Sequence, residues 1–250
     1  MSEAESANSW TDADERELLR LLLLEQQLTS QNKYLTYYPE TGPLRRELYK
    51  KHLEFFAAGK DYRERCFLAA NKVGKTEGVG AYELTLHATG KYPGWWNGRR
   101  FERPISAWAA GDTSKTTREI IQQRLLGPID EHGTGMLPFQ DIIRTPSKPG
   151  VPDAVETIYV RHISGGRSEI GLKSYDQKRE AFQGTNKDVI WLDEEPSLDI
   201  YTECLLRTMT TDGMVICTFT PLLGLSEVVK YFLDLKFEDN HGEQRSKEKG

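Results

Sequence analysis

The chain has 250 residues, 38% hydrophobic and 28% charged, with 21 Gly and 11 Pro, which is enough for one large α/β domain and leaves no compositional case for wholesale disorder. The formal net charge of −5 argues against a protein that coats nucleic acid over its whole surface; contact with phosphates would have to use a local patch. The most apolar run, Leu19 to Leu24, is interrupted by Arg20 and is far too short to span a bilayer.

The N-terminus lacks a basic-then-apolar stretch, so a cytoplasmic protein is expected. Three widely spaced cysteines, Cys66, Cys204 and Cys217, support neither a disulfide framework nor a zinc site and read as small buried hydrophobes. Residues 1–10 form a loose tail. Thr11 ahead of Asp12, Asp14 and Glu15 predicts a capped helix start, and leucines at helical spacing run on to Gln27; that stripe is expected to pack on the main body. A second helix is predicted from Leu44 to Ala58.

From there strands and helices alternate. Arg65–Ala70, Ile105–Ala110, Asp188–Asp193 and Met214–Thr220 read as strands, the last two being short apolar runs suited to burial on both faces. Helices are predicted over Thr76–Thr89, Ser114–Leu126, Asp199–Thr210 and Ser226–Leu235. Glu156–Ile163 and Ser168–Tyr175 form a predicted hairpin around Gly165 and Gly166. This order predicts a mostly parallel, three-layer α/β sheet. The charged tail from His241 reads as a linker.

Two stretches carry chemistry. Ala69-Ala70-Asn71-Lys72-Val73-Gly74-Lys75-Thr76 has the spacing of a phosphate loop, with Ala69 where the first glycine usually stands. Such a loop needs inward-facing N–H groups, a helix N-terminus, a lysine for the β and γ phosphates and a hydroxyl for magnesium; Gly74, Lys75 and Thr76 meet the last three needs. Downstream, an apolar strand ends in Asp193 and Glu194, followed by Glu195 and Pro196. Asp193 suits a magnesium-holding acid and Glu194 a base that activates water, the pair that separates a hydrolase from a nucleotide binder. Together the motifs predict an Mg2+-dependent ATPase.

The segments FLAANKVGKT (67–76), HATGKYPGWW (87–96), WLDEEPSLDIY (191–201) and CTFTPLLGLSEVV (217–229) together resemble the large terminase subunit of tailed double-stranded DNA phages, closest to the short-tailed Salmonella-phage type, over roughly residues 45–235. The resemblance implies an ASCE/RecA-like P-loop NTPase fold and an ATPase that drives double-stranded DNA into a procapsid. It implies ATP and Mg2+ as cofactors, and as partners the portal protein, the small terminase subunit and further copies in a ring, pentameric in the family. Its place would be the host cytoplasm at the portal vertex. The expected organisation is an N-terminal tail and helix over residues 1–40, serving as a lid or for partner docking, an ATPase domain over 41–237, and a linker over 238–250 toward the nuclease domain that the resemblance implies.

Carried over residue by residue, Ala70 to Thr76 match the nucleotide loop, Asp193 and Thr76 the metal-holding pair, Glu194 the catalytic glutamate, and Thr218 to Thr220 the coupling motif. The family's adenine-contacting Tyr-x-x-Gln stands here as Tyr49 to His52, with His in the Gln position. Arg179 is the first choice for an arginine donated to a neighbouring subunit, with Arg118 and Arg124 behind it. Arg99, Arg100 and Arg103, and Arg161, Arg167, Lys173 and Lys178 around the hairpin, are candidate DNA contacts. Trp95 and Trp96 read as loop anchors. The alternatives are another RecA-like translocase, or a nucleotide-binding adaptor without efficient hydrolysis.

Overall fold

A computed structural model describes residues 11–222 and 224–233. Its first helix, α1 (Asp12–Gln31), opens with the expected box: the Thr11 side chain accepts from the Asp14 N–H while the Asp14 carboxylate accepts from Thr11. None of its residues is buried, and Leu18, Leu19, Leu21 to Leu24 and Leu28 are exposed. The expected packing of this stripe on the body is therefore not what the fold does. Leucines surround the helix instead of forming one narrow face, and the chain first enters the core at Tyr34, in the short turn Lys33–Thr36 that follows.

The central sheet comprises β1 (Glu64–Leu68), β2 (Ser106–Gly111), β3 (Ile142–Arg144), β4 (Thr157–Arg161), β5 (Arg167–Ser174), β6 (Val189–Asp193) and β7 (Met214–Phe219) in the order β1-β7-β6-β2-β5-β4-β3. The run from β1 to β5 is parallel, and β4 and β3 are added antiparallel. Every residue of β6 and β7 is buried, as parallel strands covered on both faces require. Strand β3 is three residues long and carries only Ile142 and Ile143 as apolar signal, so periodicity alone could not place it.

Two apolar clusters occupy opposite faces of the sheet. One packs Ala107, Ala109, Ile158, Val160, Ile170, Trp191 and Ile216 against α2 (Lys50–Ala58) and α3 (Tyr82–Thr89). Short helical pieces α4 (Ser114–Thr116) and α5 (Gln123–Leu126), joined by a wide turn over Thr117–Gln122, extend that layer. Thr113 is the cap. The second cluster packs Trp108, Ile190, Leu192, Val215 and Cys217 against α6 (Leu198–Thr208) and the helical residues 227–233. The predicted end of that last helix, residues 234–235, lies outside the described residues. Helix–sheet–helix is the predicted three-layer architecture.

The helix after the phosphate loop is not uniform. Lys75–Ala81 winds with π-type turns before continuing as α3, a local widening often found at functional sites. Gly80 in this stretch lies against the Trp191 indole of β6: a Cβ there would sit 2.2 Å from the ring. Arg65 of β1 ties the same helix from below, donating to the buried Glu83 carboxylate at 2.7 Å and to the Phe55 carbonyl at 2.7 Å. The helix is thus fixed to both β1 and β6, the two strands that bear the motifs. Among the described residues no helix is long and apolar enough to cross a membrane.

Gly80→Ala is expected to lower stability by about 1–3 kcal/mol through overpacking against Trp191, whereas Val79→Ile, a neighbouring enlargement, reports how general the crowding is. Chemical denaturation of both measures it, and a wild-type midpoint for Gly80→Ala contradicts the assigned contact.

Candidate active site

The phosphate loop leaves β1 at Leu68. Lys72 and Gly74 take left-handed conformations, with φ of 66° and 84°, and the helix begins at Lys75. Gly74 meets this need without a Cβ penalty. Ala69 keeps an ordinary φ, which explains why alanine is accepted where the motif usually has glycine. Ala70 to Gly74 are exposed. The N–H groups of Ala70 to Thr76 have no acceptor among the described residues, so the turn presents a row of free donors at a helix N-terminus, the physical requirement for anion binding.

The acidic strand end meets this loop directly. Because β7 separates β1 from β6, Asp193 lies across from the helix start: the Thr76 hydroxyl donates to its carboxylate at 3.0 Å. Thr218 of β7, opposite Asp193 in the register, donates to the same carboxylate at 2.7 Å and accepts from the Trp191 indole N–H at 2.7 Å. Asp193 is 2% exposed. Burial pushes its carboxyl up to about 7, against the opposing hydrogen bonds from Thr218 and Thr76, and the nearby Glu194 charge pushes in the same direction. The buried Lys75 ammonium donates to Asn71 Oδ1 at 3.2 Å and lies 3.9 Å from Glu194 Oε1.

Glu194 departs from the strand with φ of 64°. A left-handed glutamate is strained unless its surroundings hold it. Here the Glu194 N–H donates to the Thr218 carbonyl at 3.1 Å, and the Tyr175 hydroxyl lies 3.0 and 3.1 Å from the carbonyls of Asp193 and Glu194. The turn lifts the Glu194 carboxylate off the sheet, while Asp193 stays buried. Thr220, at the end of β7, places its hydroxyl 2.8 Å from the Ala69 carbonyl and 2.9 Å from Asn71 Oδ1. The strand that supports Asp193 is therefore also in contact with the phosphate loop.

A hard divalent cation fits the Thr76 hydroxyl and Asp193 carboxylate: both are oxygen donors, and a carboxylate desolvated to this degree gains from a positive charge beside it. No group of three or more His, Cys, Asp or Glu among the described residues could enclose a metal alone, so the remaining ligands would come from phosphate oxygens and water.

Tyr49 and His52 border a cavity of about 300 Å³ beside the loop, together with Tyr37, Leu44 and Glu77. Both His52 ring nitrogens already have partners, the Tyr38 hydroxyl at 2.7 Å and the Val73 carbonyl at 3.1 Å. The same hydroxyl donates to Gly78 O at 2.7 Å. Burial pulls the imidazole below its ordinary value, against the hydrogen bond to Val73. His52 thus supports the phosphate loop from behind. Tyr38, Tyr37 and Lys33, the last paired with Glu77, belong to the same support. Sequence reasoning missed them, because no motif marks tyrosines that act through a long-range hydrogen bond.

Arg179 is half exposed and donates to Glu203 of α6 at 2.8 Å. Arg124 pairs with Glu77, and Arg118 binds the Pro152 carbonyl. In the loop before β2, Arg99 pairs with Asp212, Arg103 with Asp188, and Arg100 binds the Trp96 carbonyl. Each of the three thus has a partner within the chain. Trp96 is buried, as expected of an anchor.

A phosphate loop after β1, and an acid-terminated strand separated from it by one strand, define a P-loop NTPase of the kind with an additional strand between the two motifs. A family model for the N-terminal part of the T4-like-virus type terminase large subunit matches residues 66–244. The large terminase subunit of Salmonella phage P22 is 39% identical over 241 residues, covering 88% of this chain and 47% of that protein. The chain belongs to the terminase large-subunit family, and it spans about half the length of the curated relative it matches. Solved structures similar to it include the ATPase domain of the Thermus phage P74-26 large terminase, at a TM-score of 0.47 and 17% identity over 70% of this chain and 65% of that one. A variant of that domain gives 0.47 and 18%, over 68% and 64%.

Asp193→Asn removes a buried carboxylate whose folded pKa is raised. Such a group lowers stability as pH rises from its unfolded value near 4 through its folded value of about 7, and is without effect below both. The variant is expected to melt above the wild type at pH 8, and the two to converge at pH 4–5. Melting curves across that range check it; a variant less stable at pH 8 contradicts the assigned desolvation.

Proposed function

We propose that this chain is the ATPase part of a viral DNA-packaging motor, hydrolysing ATP with Mg2+ to move double-stranded DNA into a procapsid. The observation that carries this reading is the contact between Thr76 and Asp193: it joins a free row of loop N–H groups, a buried lysine and an elevated glutamate in one place. Phosphoryl transfer asks for positioning and charge neutralisation, and each part has a residue here.

The N–H groups of Ala70 to Thr76 bind the phosphates, and the Lys75 ammonium turns from Asn71 and Glu194 to the β and γ oxygens. Thr76 and Asp193 hold the cation, which when bound neutralises charge on the leaving phosphates. With Lys75 drawn to phosphate, Glu194 is free to orient a water and accept its proton. Thr218, on the Asp193 carboxylate, and Thr220, on the loop, link any charge change at the site to β7 and the residues beyond it. Tyr49 and the cavity beside it receive the adenine; His52 shapes that cavity through the loop.

The motor reading extends to partners of the whole protein: duplex DNA, a portal, a small terminase subunit, a ring of copies at the portal vertex in the host cytoplasm, and a nuclease domain following the ATPase. Arg179 is the proposed donor to a neighbouring subunit's site, a role that requires it to leave Glu203. An adaptor without hydrolysis has no use for the strained Glu194 turn, which favours the enzyme.

Lys75→Ala should lose affinity for a fluorescent ATP analogue by about tenfold or more, the order of one charge-assisted contact. Glu194→Gln should bind the analogue as the wild type does and release phosphate slower by roughly 10²–10⁴. Equal loss of binding in both variants, or phosphate release by Glu194→Gln at the wild-type rate, contradicts the roles.

A further inference from the structure

Among the described residues, the face of the sheet that carries α6 is covered only in part. The α6 layer and the turn Arg179–Phe182 lie over β7, β6 and β2, where Trp108 and Phe182 meet edge to face. On β5, β4 and β3 the residues of this face alternate outward: Arg167 and Arg161 are exposed and Tyr159 half-buried, while Ile158, Val160 and Ile170 are buried on the other side. Arg144 of β3 opposes Tyr159, and Arg161 opposes Arg167.

Three guanidinium groups therefore share this open end. Those of Arg144 and Arg167 lie over the Tyr159 ring, 4.1 and 4.7 Å from its centroid. Among the described residues none of the three pairs with a carboxylate, in contrast to Arg99 and Arg103. Glu169, opposite Tyr159 in the register, is directed toward β2 by the Ser106 hydroxyl at 2.7 Å and Lys187 at 3.4 Å. Like charges directly opposite on paired strands are destabilising. Arg161 against Arg167 is such a pair, in a chain whose net charge is −5.

We infer that the Arg144–Tyr159–Arg161–Arg167 face is a docking surface for the phosphate backbone of duplex DNA. The carrying argument is charge complementarity. A guanidinium stacked on an aromatic ring is held in orientation with its N–H edge free, and a phosphate set between opposed arginines relieves their repulsion with charge-assisted hydrogen bonds. Guanidinium groups that bind backbone phosphates fix position without reading sequence. The choice of DNA rests on the motor reading above.

The test uses the whole chain, with a fluorescent duplex of mixed sequence followed by anisotropy between about 50 and 200 mM salt. Arg161→Gln with Arg167→Gln is expected to weaken binding roughly tenfold or more at the lowest salt, and to reduce the slope of log affinity against log salt by about two. Arg161→Lys with Arg167→Lys should keep that slope, and Lys51→Gln, an exposed charge elsewhere, should change affinity little. Melting of the Gln pair at or above the wild-type temperature shows that folding is intact, since a repulsive pair is removed. Unchanged affinity and slope in the Gln pair, binding to single-stranded RNA or an acidic peptide but not to the duplex, or competition by millimolar inorganic phosphate as effective as by DNA, overturns the proposal. ATP-analogue binding and phosphate release on the same proteins separate the failures: loss of this surface leaves both intact, whereas failure of the ATPase reading appears in Lys75→Ala and Glu194→Gln.

Discussion

The buried Asp193 carboxylate organises this molecule. It receives hydroxyls from Thr76 at the helix start and Thr218 on β7, and so joins the two elements that a phosphate loop and an acidic strand end must bring together. Desolvation makes the arrangement costly without a cation, since a carboxylate removed from water disfavours its charged form. The cost is met by the surrounding frame: Trp191 fills the groove at Gly80, its indole N–H fixes the Thr218 hydroxyl, and Arg65 holds Glu83 on the same helix. Stability and chemistry conflict at this point, as is common where a site is preorganised for charge that arrives with the substrate.

The two neighbouring acids are distinguished by backbone geometry more than by chemistry. Asp193 ends a regular strand and faces inward, while Glu194 turns left-handed and rises toward Lys75. Alternation along a strand would in any case send adjacent side chains to opposite faces. The positive φ goes further, because it ends the strand at the acid and leaves Glu194 on the rim. Tyr175, whose hydroxyl lies beside both carbonyls, shows how a residue outside any motif supports that turn.

Around this centre the periphery divides by how its charges are satisfied. Arg99, Arg103, Arg124 and Arg179 all have carboxylate partners, and the first two fasten loops at the edge of the sheet away from the phosphate loop. Arg144 of β3 and Arg167 of β5 stack on Tyr159 instead, and Arg161 of β4 stands opposite Arg167. Basic residues in different stretches of sequence thus have different physical standing, and only cross-strand register reveals it. Helix α1 presents the opposite case, a leucine-rich segment whose apolar side chains remain exposed.

The sequence by itself determined the phosphate loop, the acidic strand end, the alternation of strands and helices and the family, because each depends on residue types at short fixed spacings that local geometry enforces. Tertiary structure alone decided that β7 lies between β1 and β6 and so sets Thr218 on Asp193, that His52 faces the loop carbonyl with Tyr38 behind it, that β3 joins the sheet, and that the leucines of α1 stay uncovered. These depend on contacts between residues far apart in the chain, such as Thr76 with Asp193 and Arg144 with Tyr159, for which neither periodicity nor motif spacing carries a signal.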